Sequence, residues 1–212
     1  MNGIRRTSAV SCLLSMCIAI GMAGCVTTPT FQAIRPSEES GVVVLSLGSR
    51  GKFGVSSHAL KIRAIGMSDE VLASYLEENL FTPTPRDFDK DGTNGAVVLR
   101  HLSPGNYEIF NFSTFFNGYP STATFQSKQD FSIRFAVKKG ETAYLGRFLA
   151  NRATGKNLLG MTVTGGVFFD VSDQAQEDLR IAATRFSPIG QQPSVNFLGS
   201  VKSAGSPFIR VN

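Results

Sequence analysis

The amino-acid sequence predicts a mainly β protein, an antiparallel β-sandwich with one or two short peripheral helices. Short apolar or alternating segments recur along the chain, and turn signals separate them at Asp91-Gly92, Pro104-Gly105 and Lys139-Gly140. The chain contains 17 Phe and no Trp, and charged residues make up only 17% of it. This composition is typical of a globular chain with an apolar core rather than of a disordered one.

The first part of the predicted domain combines two strands with a helix. The apolar run Val42–Leu47 lies between two glycines, as expected for a buried strand. The segment Ala59–Ile65 alternates apolar with basic residues, which predicts a half-buried strand. From Ser68 to Leu80, apolar residues recur at helical spacing after a capping serine and two acidic residues. We therefore expect a short helix over Ser68–Leu80.

The second half of the chain contains further strand patterns. Apolar residues alternate strictly over Phe131–Val137, and Lys138–Glu141 is then predicted to form a hairpin turn that leads into a returning strand over Thr142–Phe148. The segment Met161–Val171 is interrupted by Gly165-Gly166, which predicts a strand pair or one kinked strand.

The C-terminal third is predicted to contain one helix. Ser172 or Asp173 would cap it, and Pro188 would end it. Beyond the helix the pattern predicts a mobile segment over Gly199–Pro207 and short strands at Val195–Leu198 and Phe208–Val211.

The N-terminus has the three parts of an export signal. Arg5 and Arg6 give it a positive start, an apolar run follows over Ala9–Ile20, and small residues end it at Gly21–Cys25. The apolar run is shorter than the ~20 residues that a helix needs to cross a bilayer. Residues 1–24 are therefore predicted to be a signal peptide that is removed from the mature protein.

The end of this segment resembles the bacterial lipobox. The residues that carry the resemblance are Met22-Ala23-Gly24-Cys25. The resemblance implies cleavage between Gly24 and Cys25, a diacylglycerol on the sulfur of Cys25 and an acyl chain on its new amine. Cys12 and Cys17 leave with the signal, so Cys25 would be the only cysteine of the mature chain. The alternative is a plain signal peptide, but an unpaired exported thiol is then left exposed to oxidation.

A lipid anchor at Cys25 predicts where the protein resides. Several acyl chains, each gaining ~0.8 kcal/mol per buried CH₂, hold a protein stably on a membrane. Val26 stands where an Asp would resemble an inner-membrane retention signal, so we expect the outer membrane, facing the periplasm. Residues 25–40 are predicted to be a flexible tether, unless Phe31 and Ile34 dock on the domain, and residues 41–212 a single β-sandwich domain.

The centre of the chain resembles a known family of β-sandwiches. The residues that carry the resemblance are Asp89-Lys90-Asp91-Gly92, Val97–Leu99 and Leu102–Ile109. They are similar to the D-x-D-G … L-x-P-G-x-Y signature of transthyretin-like (prealbumin- or Ig-like) modules, which include the carboxypeptidase regulatory-like and collagen-adhesin B-repeat families. In this reading Leu102 packs inward, Gly105 adopts a positive φ in a tight turn and Tyr107 re-enters the core. Such modules are scaffolds, so the resemblance implies a fold and no activity.

A second pattern is similar to one in exported bacterial lipoproteins that have this sandwich. It runs from Phe135 through Gly140-Glu141 to Tyr144-Leu145-Gly146, and the similarity extends to Asp178-Leu179 and Phe186-Ser187-Pro188. This resemblance also implies no activity.

Asp87, Asp89 and Asp91 form a weak candidate calcium site. Carboxylates at alternate positions followed by Gly92 match the front of an EF-hand loop. Val98, however, stands where the bidentate Glu should be, and strand-like residues follow instead of a helix. The alternative is an Asp-Gly turn between two strands.

The sequence supports no catalytic site, metal centre or cofactor. His58 and His101 are the only histidines, and neither lies in a metal-ligand or nucleophile motif. The net charge of +5 becomes about +3 when Arg5 and Arg6 are removed (5 − 2), with no basic cluster, which argues against nucleic-acid binding. We therefore expect a lipid-anchored, non-enzymatic structural or protein-interaction module with an envelope protein as its partner. The alternatives are a glycan- or calcium-binding module and an enzyme with an unrecognised site.

Overall fold

Two β-sheets pack face to face and share one apolar core. The computed structural model describes residues 39–51, 55–77, 84–118, 121–186 and 197–211. All of these residues belong to one compact unit, Phe31–Asn212. In chain order the elements are β1 (Gly41–Arg50), β2 (Val55–Ala64), β3 (Glu70–Leu76), β4 (Phe88–Lys90), β5 (Thr93–Leu102), β6 (Gly105–Gly118), β7 (Ser121–Gln126), β8 (Ile133–Val137), β9 (Thr142–Lys156), β10 (Thr162–Ser172), α1 (Ala175–Phe186), α2 (Phe197–Ala204) and β11 (Ile209–Val211). The predicted mainly β, sandwich-like fold is confirmed, and the two described helices agree in number with the one or two that were predicted.

The first sheet has the strand order β11-β10-β9-β1-β5-β4, and the second has the order β3-β2-β6-β7, with β8 also paired to β6. Most neighbours are antiparallel, as predicted. Two pairs, β1 with β9 and β10 with β11, are parallel. The aromatic side chains of the two sheets meet in the core: the Phe112 ring of β6 lies edge-on to the Phe169 ring of β10, with centroids 5.4 Å apart. Burying a side chain of this size contributes roughly 1.5–3 kcal/mol.

Strand β1 is buried on both faces, which explains its continuous apolar run. Val43, Leu45 and Leu47 belong to the core between the sheets. Val44 points the other way and packs in a second cluster with Ala182 of α1. The first sheet is therefore covered by the second sheet on one face and by α1 on the other. A strand in that position needs apolar residues at successive positions rather than at alternate ones.

The predicted helix over Ser68–Leu80 is wrong for the part of it that the structure describes. Residues 70–76 form β3, which pairs antiparallel with β2 from Arg63 opposite Glu70 to Ser57 opposite Leu76. The turn that joins the two strands contains Gly66 at φ 85°, a conformation that glycine adopts without steric cost. Pairing along β2 outweighs the weak helical preference of a seven-residue segment.

The predicted hairpin turn at Lys138–Glu141 is also wrong, although the strands on both sides of it are confirmed. The turn closes with a 3.2 Å hydrogen bond from the amide of Glu141 to the carbonyl of Lys138. Strand β8 pairs with β6 in the second sheet, whereas β9 pairs with β1 in the first. The segment is therefore a crossover between the two sheets. A local turn signal indicates that the chain changes direction, but it does not determine which strand the next segment pairs with.

The Pro104-Gly105 segment is a second crossover, from β5 in the first sheet to β6 in the second. Leu102 and Tyr107 are buried, as predicted. Gly105 does not have the positive φ that the turn prediction assigned to it, and a Cβ there would meet the Tyr107 ring at 3.5 Å, an ordinary contact distance. The prediction of a positive φ at Gly105 is therefore wrong, and the backbone conformation does not require glycine at this position.

The C-terminal third contains one confirmed helix and one unexpected helix. Asp173 caps α1 as predicted, since its carboxylate accepts a 2.9 Å hydrogen bond from the amide of Ala175. Strand β10 is one strand with a register shift between Thr164 and Gly166, which confirms the kink. Helix α2 replaces the described end of the predicted strand at 195–198 and most of the predicted mobile segment, because Phe197 and Val201, one turn apart, are both buried. The strand prediction at the C-terminus is confirmed by β11.

Candidate functional site

Polar side chains form a buried cluster between the two sheets. His58 and Glu77 are at its centre, and both are nearly inaccessible to solvent, at 0% and 4% exposure. The Glu77 carboxylate lies 3.3 Å from Nε2 of His58 and accepts a 2.8 Å hydrogen bond from the Ser56 hydroxyl. It also accepts a 3.2 Å hydrogen bond from the Asn94 side-chain amide. The Thr114 hydroxyl lies 3.3 Å from Nδ1 of His58.

The fold brings these residues together from four strands. Ser56 and His58 are two positions apart on β2, so both side chains point into the sandwich. Thr114 of β6 is directly opposite His58 in the sheet. Glu77 follows β3, and its amide donates a 2.8 Å hydrogen bond to the Ser56 carbonyl. Asn94 comes from β5 of the facing sheet, so the cluster crosslinks the two layers.

Hydrogen bonds keep the Glu77 carboxylate ionised although it is buried. Burial is the largest single influence on its pKa and raises it, but hydrogen bonds from His58, Ser49, Ser56 and Asn94 together hold that pKa below its usual value. An ionised carboxylate can only accept hydrogen bonds, so Nε2 of His58 carries the proton that faces it.

The cluster orders donors around one buried acceptor. Because Ser56 donates to the carboxylate and every member is buried, the geometry fits a polar layer that specifies how the sheets pack. Nearby, burial raises the pKa of the Tyr75 hydroxyl to about 12. That hydroxyl donates a 3.5 Å hydrogen bond to Asn94. The second histidine, His101, lies outside the cluster at the end of β5, where its Nδ1 is 3.5 Å from the Ser40 hydroxyl.

A second buried polar cluster lies on the opposite face of the first sheet, beneath α1. Arg147 of β9 pairs with Asp178 and, at 2.8 Å, with Glu177, both in the first turns of α1. The Tyr144 hydroxyl donates a 2.7 Å hydrogen bond to Asp178. The guanidinium of Arg147 also lies 4.0 Å from the centre of the Phe88 ring, a favourable cation–π contact.

The pKa values of this second cluster reflect its burial and its charges. Burial alone would lower the pKa of Arg147, but the hydrogen bond and charge of Asp178, followed by those of Glu177, raise it. Burial, and then the negative charge of Asp178, raise the pKa of the Tyr144 hydroxyl. Arg147 therefore stays charged and Tyr144 stays neutral beneath α1.

A β-bulge at Gly146 creates this second cluster. The pairing with β1 places Val44 opposite Tyr144 and Ser46 opposite Arg147, so β9 carries one extra residue between them. Gly146 occupies the bulge at φ 101°. In a regular strand, residues three positions apart such as Tyr144 and Arg147 lie on opposite faces, and the bulge brings both side chains to the face beneath α1. The sequence signals are an arginine within the otherwise apolar run Ala143–Ala150 and the glycine before it, and neither identifies Asp178 as the partner.

A shallow cleft of about 430 Å³ lies beside the second cluster. Arg50, Lys90 and Arg147 contribute positive charges to its lining, and three acidic side chains contribute negative charges, namely Asp91, Asp170 and Glu177. Glu177 is paired with Arg147, and Asp170 accepts a 3.0 Å hydrogen bond from the Asn151 amide. With three positive and three negative side chains, the lining favours no class of charged ligand.

The candidate calcium residues are separated by their own contacts. Asp91 and Gly92, at φ 53° and 71°, form the turn between β4 and β5. The Asp87 carboxylate accepts a 2.7 Å hydrogen bond from the Val97 amide and pairs with Arg185, while Asp89 pairs with Arg86 at 2.6 Å. Within the described ranges, no group of three or more His, Cys, Asp or Glu residues is placed to hold a metal ion. The geometry matches the Asp-Gly turn.

The predicted signal cleavage site and lipidation site, Gly24 and Cys25, lie outside the described residues. Neither described helix is long and apolar enough to cross a membrane.

No protein-family model matches the sequence, and no curated protein matches it. Among solved structures, a leucine-rich repeat protein from Bacteroides thetaiotaomicron is similar over 51% of this chain, at 11% sequence identity and a TM-score of 0.30. This chain spans only 13% of the length of that protein. A similarity of this size carries no argument about function.

Proposed function

We propose that this chain is a lipid-anchored protein of the bacterial cell envelope, whose β-sandwich is a structural or protein-interaction module rather than an enzyme. The observation that carries the proposal is the sequence Met22-Ala23-Gly24-Cys25 after a positive and then apolar N-terminus. The acylated Cys25 would hold the protein on the periplasmic face of the outer membrane. The same proposal includes a relationship between this β-sandwich domain and the transthyretin-like modules.

The buried polar clusters support the non-enzymatic part of the proposal. His58 is used inside the core, where its Nε2 faces Glu77 and its Nδ1 faces Thr114. Arg147 and Asp178 join α1 to the first sheet. A catalytic group has to reach a substrate, and in both clusters the central polar groups instead contact each other. The partner of such a module would bind its outer surface.

Fatty-acid labelling tests the anchor. Cells that express the full chain are grown with an alkyne-bearing palmitate analogue, and the protein is isolated and probed for the label. We expect labelling of the wild-type protein and of Cys17→Ala, because Cys17 lies in the predicted signal. Cys25→Ala should lose the label. Labelling that survives in Cys25→Ala, or a mass spectrum in which the mature protein begins at an unmodified residue, contradicts the proposal.

A further inference from the structure

The hairpin formed by the ends of β9 and β10 projects beyond the first sheet. The register of β1 with β9 ends at Ala150, and β11 pairs with β10 only over Phe169–Val171. Residues 153–166, which we call the hairpin arm, therefore pair only with each other in the described part of the chain. At about 3.3 Å per residue, the arm extends roughly 15 Å from Ala153 to its tip.

The tip of the hairpin arm is apolar and exposed. Leu158 is fully exposed, at 106% of its reference area, and Leu159 is 81% exposed. Met161 and Val163 are also exposed, so four of the large exposed apolar side chains of the described chain lie within six residues. Large apolar side chains concentrated on a convex surface indicate a contact with something apolar outside the chain.

The backbone at the tip makes its hydrogen bonds internally. The Asn157 side-chain oxygen accepts 3.0 Å hydrogen bonds from the amides of Leu159 and Met161. The Asn157 amide donates to the Met161 carbonyl, and the Gly160 amide donates to the Asn157 carbonyl, both at 2.9 Å. An apolar medium excludes backbone groups that lack partners. These four internal hydrogen bonds reduce the number of backbone groups that would lose a water partner when the tip enters an apolar medium.

The charge of the hairpin arm suits an anionic lipid surface. Lys156 is the only charged residue among residues 153–166, and Arg152 immediately precedes them. Lys156 is exposed close to the apolar tip. Peripheral segments that bind anionic bilayers combine apolar side chains with flanking basic residues. The basic residues contact the lipid headgroups, and the apolar side chains enter the boundary between the headgroups and the acyl chains.

We propose that the hairpin arm inserts Leu158 and Leu159 into the interface of a lipid bilayer and gives the domain a second membrane contact. This inference depends on the proposed lipid anchor at one point only, because the anchor determines which bilayer the hairpin arm would contact. Sixteen residue-to-residue steps join Cys25 to Gly41 (41 − 25), and a chain of that length spans at most about 55 Å. Strand β9 runs parallel to β1, so the arm projects from the end of the first sheet opposite to Gly41. The ten residues of β1 and the arm together span roughly 50 Å at about 3.3 Å per residue. An inserted arm therefore requires the segment between Cys25 and Gly41 to be nearly fully extended.

A single tryptophan tests the insertion, because the natural chain contains none. The full chain carrying Leu158→Trp is reconstituted into vesicles of phosphatidylcholine with a minor fraction of phosphatidylglycerol. Met67→Trp, at a position that is 65% exposed in the turn between β2 and β3, is the matched control. We expect blue-shifted emission from Leu158→Trp and quenching by brominated phosphatidylcholine several-fold stronger than for Met67→Trp. Adding Leu159→Ser to Leu158→Trp should weaken that quenching several-fold, and the melting temperature should stay the same.

Each other outcome overturns a defined part of the proposal. Emission from Leu158→Trp that stays solvent-like overturns the insertion. Blue-shifted emission that brominated lipid does not quench indicates contact with protein, such as a second copy, and also overturns it. The mass of the N-terminal peptide from the same sample reports lipidation of Cys25 separately. A quenched Leu158→Trp on an unlipidated chain therefore contradicts the anchor alone, and an unquenched one on a lipidated chain contradicts the insertion alone.

Discussion

The guanidinium of Arg147 and the carboxylate of Asp178 form an ion pair that joins β9 to the start of α1, and both side chains are buried. The contact spans 31 residues of sequence. Asp178 also accepts a hydrogen bond from the Tyr144 hydroxyl, so one carboxylate serves two donors of the same strand. Removing one partner of a buried pair leaves the other charge uncompensated in an apolar environment, which is costly.

Asp178→Ala should therefore lower the free energy of unfolding by about 3–5 kcal/mol. Glu177→Ala is the matched control, because Glu177 contacts the same guanidinium but is 48% exposed, whereas Asp178 is 0% exposed. Glu177→Ala should lower the free energy of unfolding by no more than about 1 kcal/mol. Urea denaturation at neutral pH measures both values. Equal losses in the two variants would show that the buried pair does not carry the attachment of α1.

Gly146→Ala should destabilise the protein by about 1–3 kcal/mol, because φ at this position is 101° and a non-glycine residue is strained there. The added Cβ would also lie only 3.0 Å from a Val171 methyl group. Gly155→Ala is the control, since Gly155 is in the same strand with no atom within 4 Å of its Cβ position and no positive φ. Thermal denaturation should show a lower midpoint for the first variant and little change for the second. A similar midpoint for both contradicts the bulge.

Glu77 should make stability depend on pH in the acidic range. Its folded-state pKa lies below the ordinary value of 4.5, so its ionisation stabilises the folded state above that value. The stabilisation is lost as the pH falls through the folded-state pKa. Glu77→Gln should cost roughly 1–3 kcal/mol at neutral pH, because the new amide group faces donors rather than acceptors. The difference from the wild type should shrink as the pH falls below the ordinary pKa of 4.5 and through the lower folded-state pKa.

Denaturation of Glu77→Gln and wild type at a series of pH values measures this dependence. Glu70→Gln is the control, because Glu70 is 42% exposed, and its curve should follow that of the wild type. Glu108, whose pKa is also lowered, contributes equally in all three proteins. A constant difference between Glu77→Gln and wild type at every pH would contradict an ionised Glu77.

Calcium should leave the melting temperature unchanged. Asp87 is held by the Val97 amide and by Arg185, and Asp89 is paired with Arg86. Gathering the carboxylates around an ion would break these contacts, and each broken contact would offset part of the binding energy. Thermal melts with calcium, magnesium or a chelator provide the measurement. A midpoint that rises with calcium but not with magnesium would restore the calcium-binding alternative.

Local pattern was enough to predict several elements of the fold. The strict alternation of Phe131–Val137 became β8, and the apolar run at Val42–Leu47 became the doubly covered β1. Asp91-Gly92 forms a turn and Asp173 caps α1, as their side-chain chemistry indicated. In each case the information lies within a few residues, because alternation, caps and positive φ are properties of short segments.

The amino-acid pattern alone established the mainly β character of this chain, most of its strand segments, the cap of α1 and the resemblance to a lipobox at Cys25. The folded structure was needed to show that residues 70–76 form a strand, that β8 and β9 belong to different sheets, and that Arg147 contacts Asp178. The reason is physical: strand partners and buried ion pairs depend on which distant surfaces exclude water together, and no short segment contains that information.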